Sequence, residues 1–224
     1  MKKISKTLSI VAFSVLATVS SQGALILTGV IDGPLSGGTP KAIELFVTTD
    51  IADLSLYGVE LVSNDGNTTG AVETYFSGSA TAGQYLYVAT EAVEFQNVFG
   101  FAPTFTTGDA NHNGDDDFYI YFDADGKAGA GAATLIDVWG GSDGLDNTGT
   151  DYDILDSWAY RNDGAGPNTT FTTSEWTIAS VDSLDGLDAA GVNAAVPFGT
   201  YAIPEPSAAL LGGLGLLALL RRRR

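Results

Sequence analysis

The 224-residue sequence contains no cysteine. That removes disulfides, thiolate metal sites, cysteine nucleophiles and iron–sulfur clusters together. A single histidine, His112, leaves little room for imidazole chemistry. Basic residues are scarce as well: ten Lys and Arg stand against 27 Asp and Glu, for a formal charge of −17. Most of the ten lie at the chain ends (Lys2, Lys3, Lys6 and Arg221, Arg222, Arg223, Arg224), so the middle keeps Lys41, Lys127 and Arg161 against nearly all the acids. A surface that acidic repels phosphate backbones, which excludes nucleic acid as a partner; it attracts cations or stays soluble among polyanions. Without disulfides, a domain bound for an oxidising compartment relies on its core or on bound ions.

Both ends read as targeting segments. Residues 1–24 have a basic start, an apolar run over 8–19 and then the small residues Ser21, Gly23 and Ala24, the layout of a secretory signal peptide. Cleavage is expected after Ala24, with Ser21 as the other choice. At the other end, Pro204-Glu205-Pro206 precedes an apolar run over 208–220 and then Arg221 to Arg224. The prolines remove two backbone donors and keep the chain extended. The 13 apolar residues reach about 20 Å as a helix, against a hydrocarbon core of about 30 Å. Such a segment spans by thinning the bilayer while the arginines snorkel and stay cytoplasmic. This tail resembles the PEP-CTERM sorting signal of Gram-negative bacteria. The resemblance implies that an exosortase-type membrane enzyme recognises Pro204, Glu205 and Pro206, and that the protein passes to the outer envelope or the exopolysaccharide matrix.

The middle, 25–181, reads as all-β. Runs rich in β-branched and aromatic residues recur between Gly, Asn, Asp and Thr clusters, placing strands at 25–31, 42–48, 57–63, 71–76, 85–89, 118–123, 135–139, 158–161 and 176–180. In the sixth, Phe118, Ile120 and Phe122 alternate with Tyr119 and Tyr121, and Asp123 to Gly126 supplies a hairpin turn. One short helix is predicted over 91–99, capped by Thr90 and stopped by Gly100. Residues 182–203 are expected to link the last strand to the tail. Nine short strands suggest a β-sandwich. Ile43-Glu44-Leu45-Phe46 followed by Asp53-Leu54-Ser55-Leu56-Tyr57-Gly58-Val59 resembles the opening of a lamin-tail domain. That resemblance implies an immunoglobulin-like sandwich used as an attachment or interaction module, and gives no activity. The family's Asn after this first strand is replaced by Val47-Thr48.

Two acidic stretches are candidates for chemistry. In Asp109-Ala110-Asn111-His112-Asn113-Gly114-Asp115, oxygen ligands fall at alternate positions with glycine sixth, the pattern of a loop around Ca²⁺. Asp109, Asn111, Asn113 and Asp115 are its candidate ligands, although Ile120 stands where a bidentate Glu belongs. The rival reading is a solvated polar turn. A second stretch holds Asp143, Asp146, Asp151, Asp153 and Asp156, with Asp151 and Asp153 able to point the same way from an extended chain. Paired acids such as Asp115 and Asp117 would suit a matrix-acting hydrolase, and exposed Trp139, Trp158 and Trp176 a carbohydrate-binding module. Those tryptophans sit in apolar strands, and Arg161 beside acids reads as a structural ion pair. The expectation is a non-enzymatic protein of the cell surface or polysaccharide matrix.

Overall fold

Strand alternation sets the layers. Strands β1 (Leu25–Leu35) and β2 (Thr39–Val47) pair antiparallel and send Leu25, Leu27, Ile43, Leu45 and Val47 to one face. In register, Leu27 opposes Leu45 and Gly29 opposes Glu44, so Thr28 is an extra, bulged residue. The bulge explains why Leu27 and Val30, three apart, share the same core. The computed structural model describes residues 23–64, 66–127, 132–141 and 146–203. The stretch before residue 23 and the tail 204–224, with both targeting segments' apolar runs, lie outside them. Among the described residues no helix is long and apolar enough to cross a membrane.

The remaining strands are β3 (Tyr57–Val62), β4 (Thr74–Tyr75), β5 (Tyr85–Ala89), β6 (Phe105–Thr106), β7 (Asp117–Phe122), β8 (Thr134–Trp139), β9 (Trp158–Arg161) and β10 (Trp176–Ile178). One sheet has the order β10-β9-β1-β2-β5-β6 and the other β4-β3-β7-β8. Their inner faces form a common core that includes Leu45, Val59, Leu86, Phe118, Ile120, Trp139 and Trp176, the arrangement of an all-β sandwich. Phe118 and Ile120 face this core while Tyr119 and Tyr121 turn to the other side, as their alternation predicts. Trp139 and Trp176 meet edge to face at 4.8 Å, fully inside.

The outer face of the larger sheet is covered too. Helices α1 (Ala92–Phe99) and α2 (Ala189–Ala195) bury Phe95, Val98, Phe99 and Val192 against Ile31, Ala42 and Ala89. Several expectations change here. Glu91, not Thr90, is the N-cap of α1, and Thr90 Oγ1 is left without a partner; Gly100 does end the helix, at φ 82°. The α-helices number two among the described residues, and Asp188 caps the second, α2, by accepting the Gly191 N–H at 2.9 Å. Gly191 and Asn193 hid that helix by their poor propensity. Strand β6 is too short to leave a pattern, and the strand expected at 71–76 shrinks to Thr74–Tyr75.

Candidate functional site

The polar features of this fold concentrate in three places, and the first is a strap at the C-terminal end of the described residues. After α2, Val196, Phe198 and Tyr201 pack on the outer face of β1, β2, β5 and β9, against Ile26, Phe46, Tyr85, Tyr87 and Tyr160. Gly29 leaves room for this: a Cβ there would meet the Phe198 ring at 2.5 Å. At the centre is Glu44, fully buried on the outward side of β2. Its carboxylate accepts from the Thr28 hydroxyl at 2.7 Å, the Tyr160 hydroxyl at 2.8 Å and the Gly199 N–H, and from Tyr87 as well. No cation is among those partners, so burial dominates and pushes the Glu44 carboxyl up to about 7. Tyr160 in turn accepts the N–H groups of Thr200 and Tyr201 at 3.0 and 2.8 Å. The last contacts are to Ala202: its N–H donates to Asp163 at 2.8 Å and its carbonyl accepts from Gly164 at 3.0 Å. Residues 182–203, which connect the last strand to the tail, therefore do so while packed on the domain.

The second place is the seam between the sheets. Arg161 of β9 and Asp137 of β8 pair at 2.6 Å with both side chains fully buried. Arg161 also donates to the Leu27 carbonyl at 2.8 Å and lies 4.6 Å from the Trp176 ring centroid. Asp137 accepts the N–H groups of Leu27, Val138 and Asn168. Burial raises its carboxyl to about 6 against the pull of Arg161 and these donors, so it stays ionised at neutral pH. Arg161 is thus a structural ion pair, as the sequence suggested. Lys41 plays the same part nearby, bonding Asp32 at 2.6 Å and the His112 carbonyl. His112 is buried between the Ile31 carbonyl (2.9 Å from Nε2) and the Gly114 N–H (3.2 Å from Nδ1), which assigns the proton to Nε2. Burial holds it down to about 3, a neutral structural residue at any physiological pH.

The third place is the pair of acidic loops. The four residues of the predicted calcium loop have separate attachments. Asp109 accepts from the Thr74 and Thr107 hydroxyls, Asn111 is exposed, and the Asn113 N–H donates to Asp116 at 3.2 Å. Asp115 reaches the second acidic loop, accepting from the Thr148 hydroxyl at 2.8 Å, while its carbonyl accepts the Asn147 N–H. The two loops thus form one seam, tightened at Gly114 (φ 87°), where a Cβ would meet the Leu155 nitrogen at 2.4 Å. The second loop is not extended. Asp151 is exposed, and Asp153 is buried with its carboxylate on the Gly149 and Leu155 N–H groups. Asp143 lies outside the described residues. Apart from the seam, Asp156, Asp182 and Asp185 bring carboxylate oxygens within 4.8 Å of one another at the surface.

Sequence reasoning found the acidic loops and Arg161 but passed over the Glu44 centre. The signal was present as an acid inside Ile43-Glu44-Leu45-Phe46, at an outward position with apolar residues on both sides. Its partners Tyr87, Tyr160 and Gly199 are 43, 116 and 155 residues away, beyond any local pattern.

The fold defines an all-β, two-sheet domain with a covered outer face and an acidic surface. Comparison with known families adds the other end of the chain: residues 202–224 match the PEP-CTERM protein-sorting motif. That motif implies an exosortase-sorted, secreted and envelope-associated bacterial protein. The match begins at Ala202, the last of the described residues that is hydrogen-bonded into the domain. No curated protein and no solved structure matches the chain.

Proposed function

We propose that the chain is a non-enzymatic structural or interaction module of the outer envelope or exopolysaccharide matrix of a Gram-negative bacterium. It is made with an N-terminal signal peptide and handed by its tail to an exosortase-type enzyme. The observation that carries this reading is the sorting motif at 202–224, which starts where the docked strap ends. The domain itself is read as lamin-tail-like. In support, Ile43 to Phe46 lie on β2, and Asp53 caps the 3₁₀ turn Leu54–Leu56 that delivers Tyr57 into β3 of the opposite sheet. A structural role is supported by the use the fold makes of its reactive groups. His112, Glu44, Asp137 and Arg161 are each bonded to parts of the scaffold, and Trp139 and Trp176 fill the core rather than a sugar-stacking surface.

Cell fractionation tests the proposal. The full chain is expected in the outer envelope or the medium, and a chain lacking 204–224 is expected to lose that distribution. An unchanged distribution of the truncated chain would sink the sorting reading. The truncation spares every strap contact described above, and a melting curve of the truncated chain shows whether it folds.

A further inference from the structure

We propose that the seam between the two acidic loops is a Ca²⁺ site formed by Asp115, Asp146 and Asn147, the remaining positions being filled by water. The site is independent of where the protein is sorted.

Among the described residues, two of the three buried side-chain atoms without a partner are Asp115 Oδ1 and Asn147 Oδ1, and both lie in this seam. Asn147 is 1% exposed. Its orientation is settled, because its Nδ2 donates to Asp117 at 2.6 Å and its backbone N–H to the Asp115 carbonyl at 3.2 Å. Flipping the amide would set its oxygen against the Asp117 carboxylate. The carbonyl oxygen is therefore held in place, buried and unserved, a state that native structures avoid unless water or an ion completes it.

The charges point to an ion. The Asp115 and Asp146 carboxylates converge on one hydroxyl, that of Thr148, at 2.8 and 2.6 Å, and Asp116 adds its charge to the same group. Two carboxylates so placed need a shared proton or a cation between them. A shared proton would leave the Asn147 oxygen as it is; a cation serves all three groups. Lys41 and Arg161 are bound to Asp32 and Asp137 and so bring no charge to this seam. Two carboxylates and an amide oxygen, in an irregular loop with no nitrogen or sulfur ligand, suit a hard cation with flexible coordination. The ion would tie the loop after β8 to the entry of β7. The loops there are otherwise joined by backbone bonds, by Thr148 and by the Asn147 amide on Asp117.

The test uses the full chain in detergent, stripped with a chelator and titrated with CaCl₂ while its melting is followed. Affinity in the range of extracellular calcium modules, a Kd of about 10⁻⁴–10⁻³ M, is expected. At ten times Kd the midpoint should rise by about 3–6 °C. Asp115→Asn and Asp146→Asn should each weaken binding at least about ten-fold, one lost ligand of three. Asp146 is exposed, so its variant folds even if changes at Asp115 or Asn147 do not. Asp156→Asn, in the surface acidic trio, should bind like the parent. A midpoint that stays flat up to about 10 mM CaCl₂ would overturn the site. So would an equal response to MgCl₂, a response retained in Asp146→Asn, or one lost in Asp156→Asn.

Discussion

Glu44 and Asp137 are both buried carboxylates within reach of β1, yet one lies on the outer face of the larger sheet and the other between the sheets. Burial raises both, to about 7 and about 6. They differ in their partners. Asp137 faces a buried guanidinium and three backbone N–H groups. Glu44 faces three hydroxyls and one N–H, all neutral. A charged partner keeps Asp137 ionised at neutral pH and binds the two sheets together. Neutral partners leave Glu44 at its titration point, holding the strap that precedes the sorting motif. The domain is therefore built with a seam that stays charged at neutral pH and a strap whose acid titrates there.

The largest expected effect comes from breaking the seam. Arg161→Met keeps the side chain's bulk but strands the Asp137 charge inside the protein. Loss of one partner of a buried pair costs about 3–5 kcal/mol. Urea unfolding at pH 7 measures it, and a loss under about 1 kcal/mol would mean that the pair does not hold the sheets together. Adding Asp137→Asn to Arg161→Met should recover part of the loss, because the uncompensated charge is then gone.

The next effect reads the strap. The folded Glu44 carboxyl titrates near 7 against an ordinary 4.5. An acid raised on folding contributes stability that is complete below the unfolded value and is lost as pH rises through the folded one. Between about pH 4.5 and 7 this group alone withdraws about 3 kcal/mol. Asp137, raised from 3.8 to about 6, acts in the same direction over a lower window. The protein should accordingly be more stable at pH 5 than at pH 8. Glu44→Gln, the neutral isostere, should remove Glu44's share of that difference. Urea midpoints of the two proteins at the two pH values check it; an equal pH dependence in both would show that Glu44 does not titrate in this range. Hydrogen exchange should place the change in the strap residues 196–202, leaving β7 and β8 protected.

This contrast also shows what the sequence could and could not reveal. The strands were legible because alternation is local: Phe118, Ile120 and Phe122 announce a face whatever they pack against. The PEP-CTERM motif was legible because it is contiguous. Arg161 stood out as one of three basic residues in a very acidic middle, and its acid partner lay in the predicted strand immediately before it. The strap was illegible because each of its contacts pairs a distant element with a short Ala-, Gly- and Asp-rich stretch that looks like linker. The seam between the acidic loops was half legible. Both loops were visible as acid runs, but their joining depends on Gly114 and on the Asn147 amide, and neither signals a partner by spacing.

The smallest expected effect concerns where the chain enters the domain. The strap's described contacts end at Ala202, so processing beyond residue 203 removes no described contact. The N-terminal side offers less freedom, because the chain enters directly into the inner core. Ala24 is 2% exposed, its carbonyl accepts the Thr48 N–H at 2.9 Å, and the Gly23 carbonyl accepts the Thr48 hydroxyl at 2.7 Å. Leader cleavage after Ala24 would delete both acceptors and place a charged amine on Leu25, which is fully buried. Each lost bond is worth about 1 kcal/mol, and burying the amine adds to that. Cleavage at Ser21, the other choice, or after Gly23 keeps Ala24 and its bond to Thr48. Terminal sequencing of the exported protein should therefore begin at Ala24 or upstream of it. A start at Leu25 would mean that the edge of β1 tolerates what the seam does not, and that the inner core's demands end one residue later than its burial indicates.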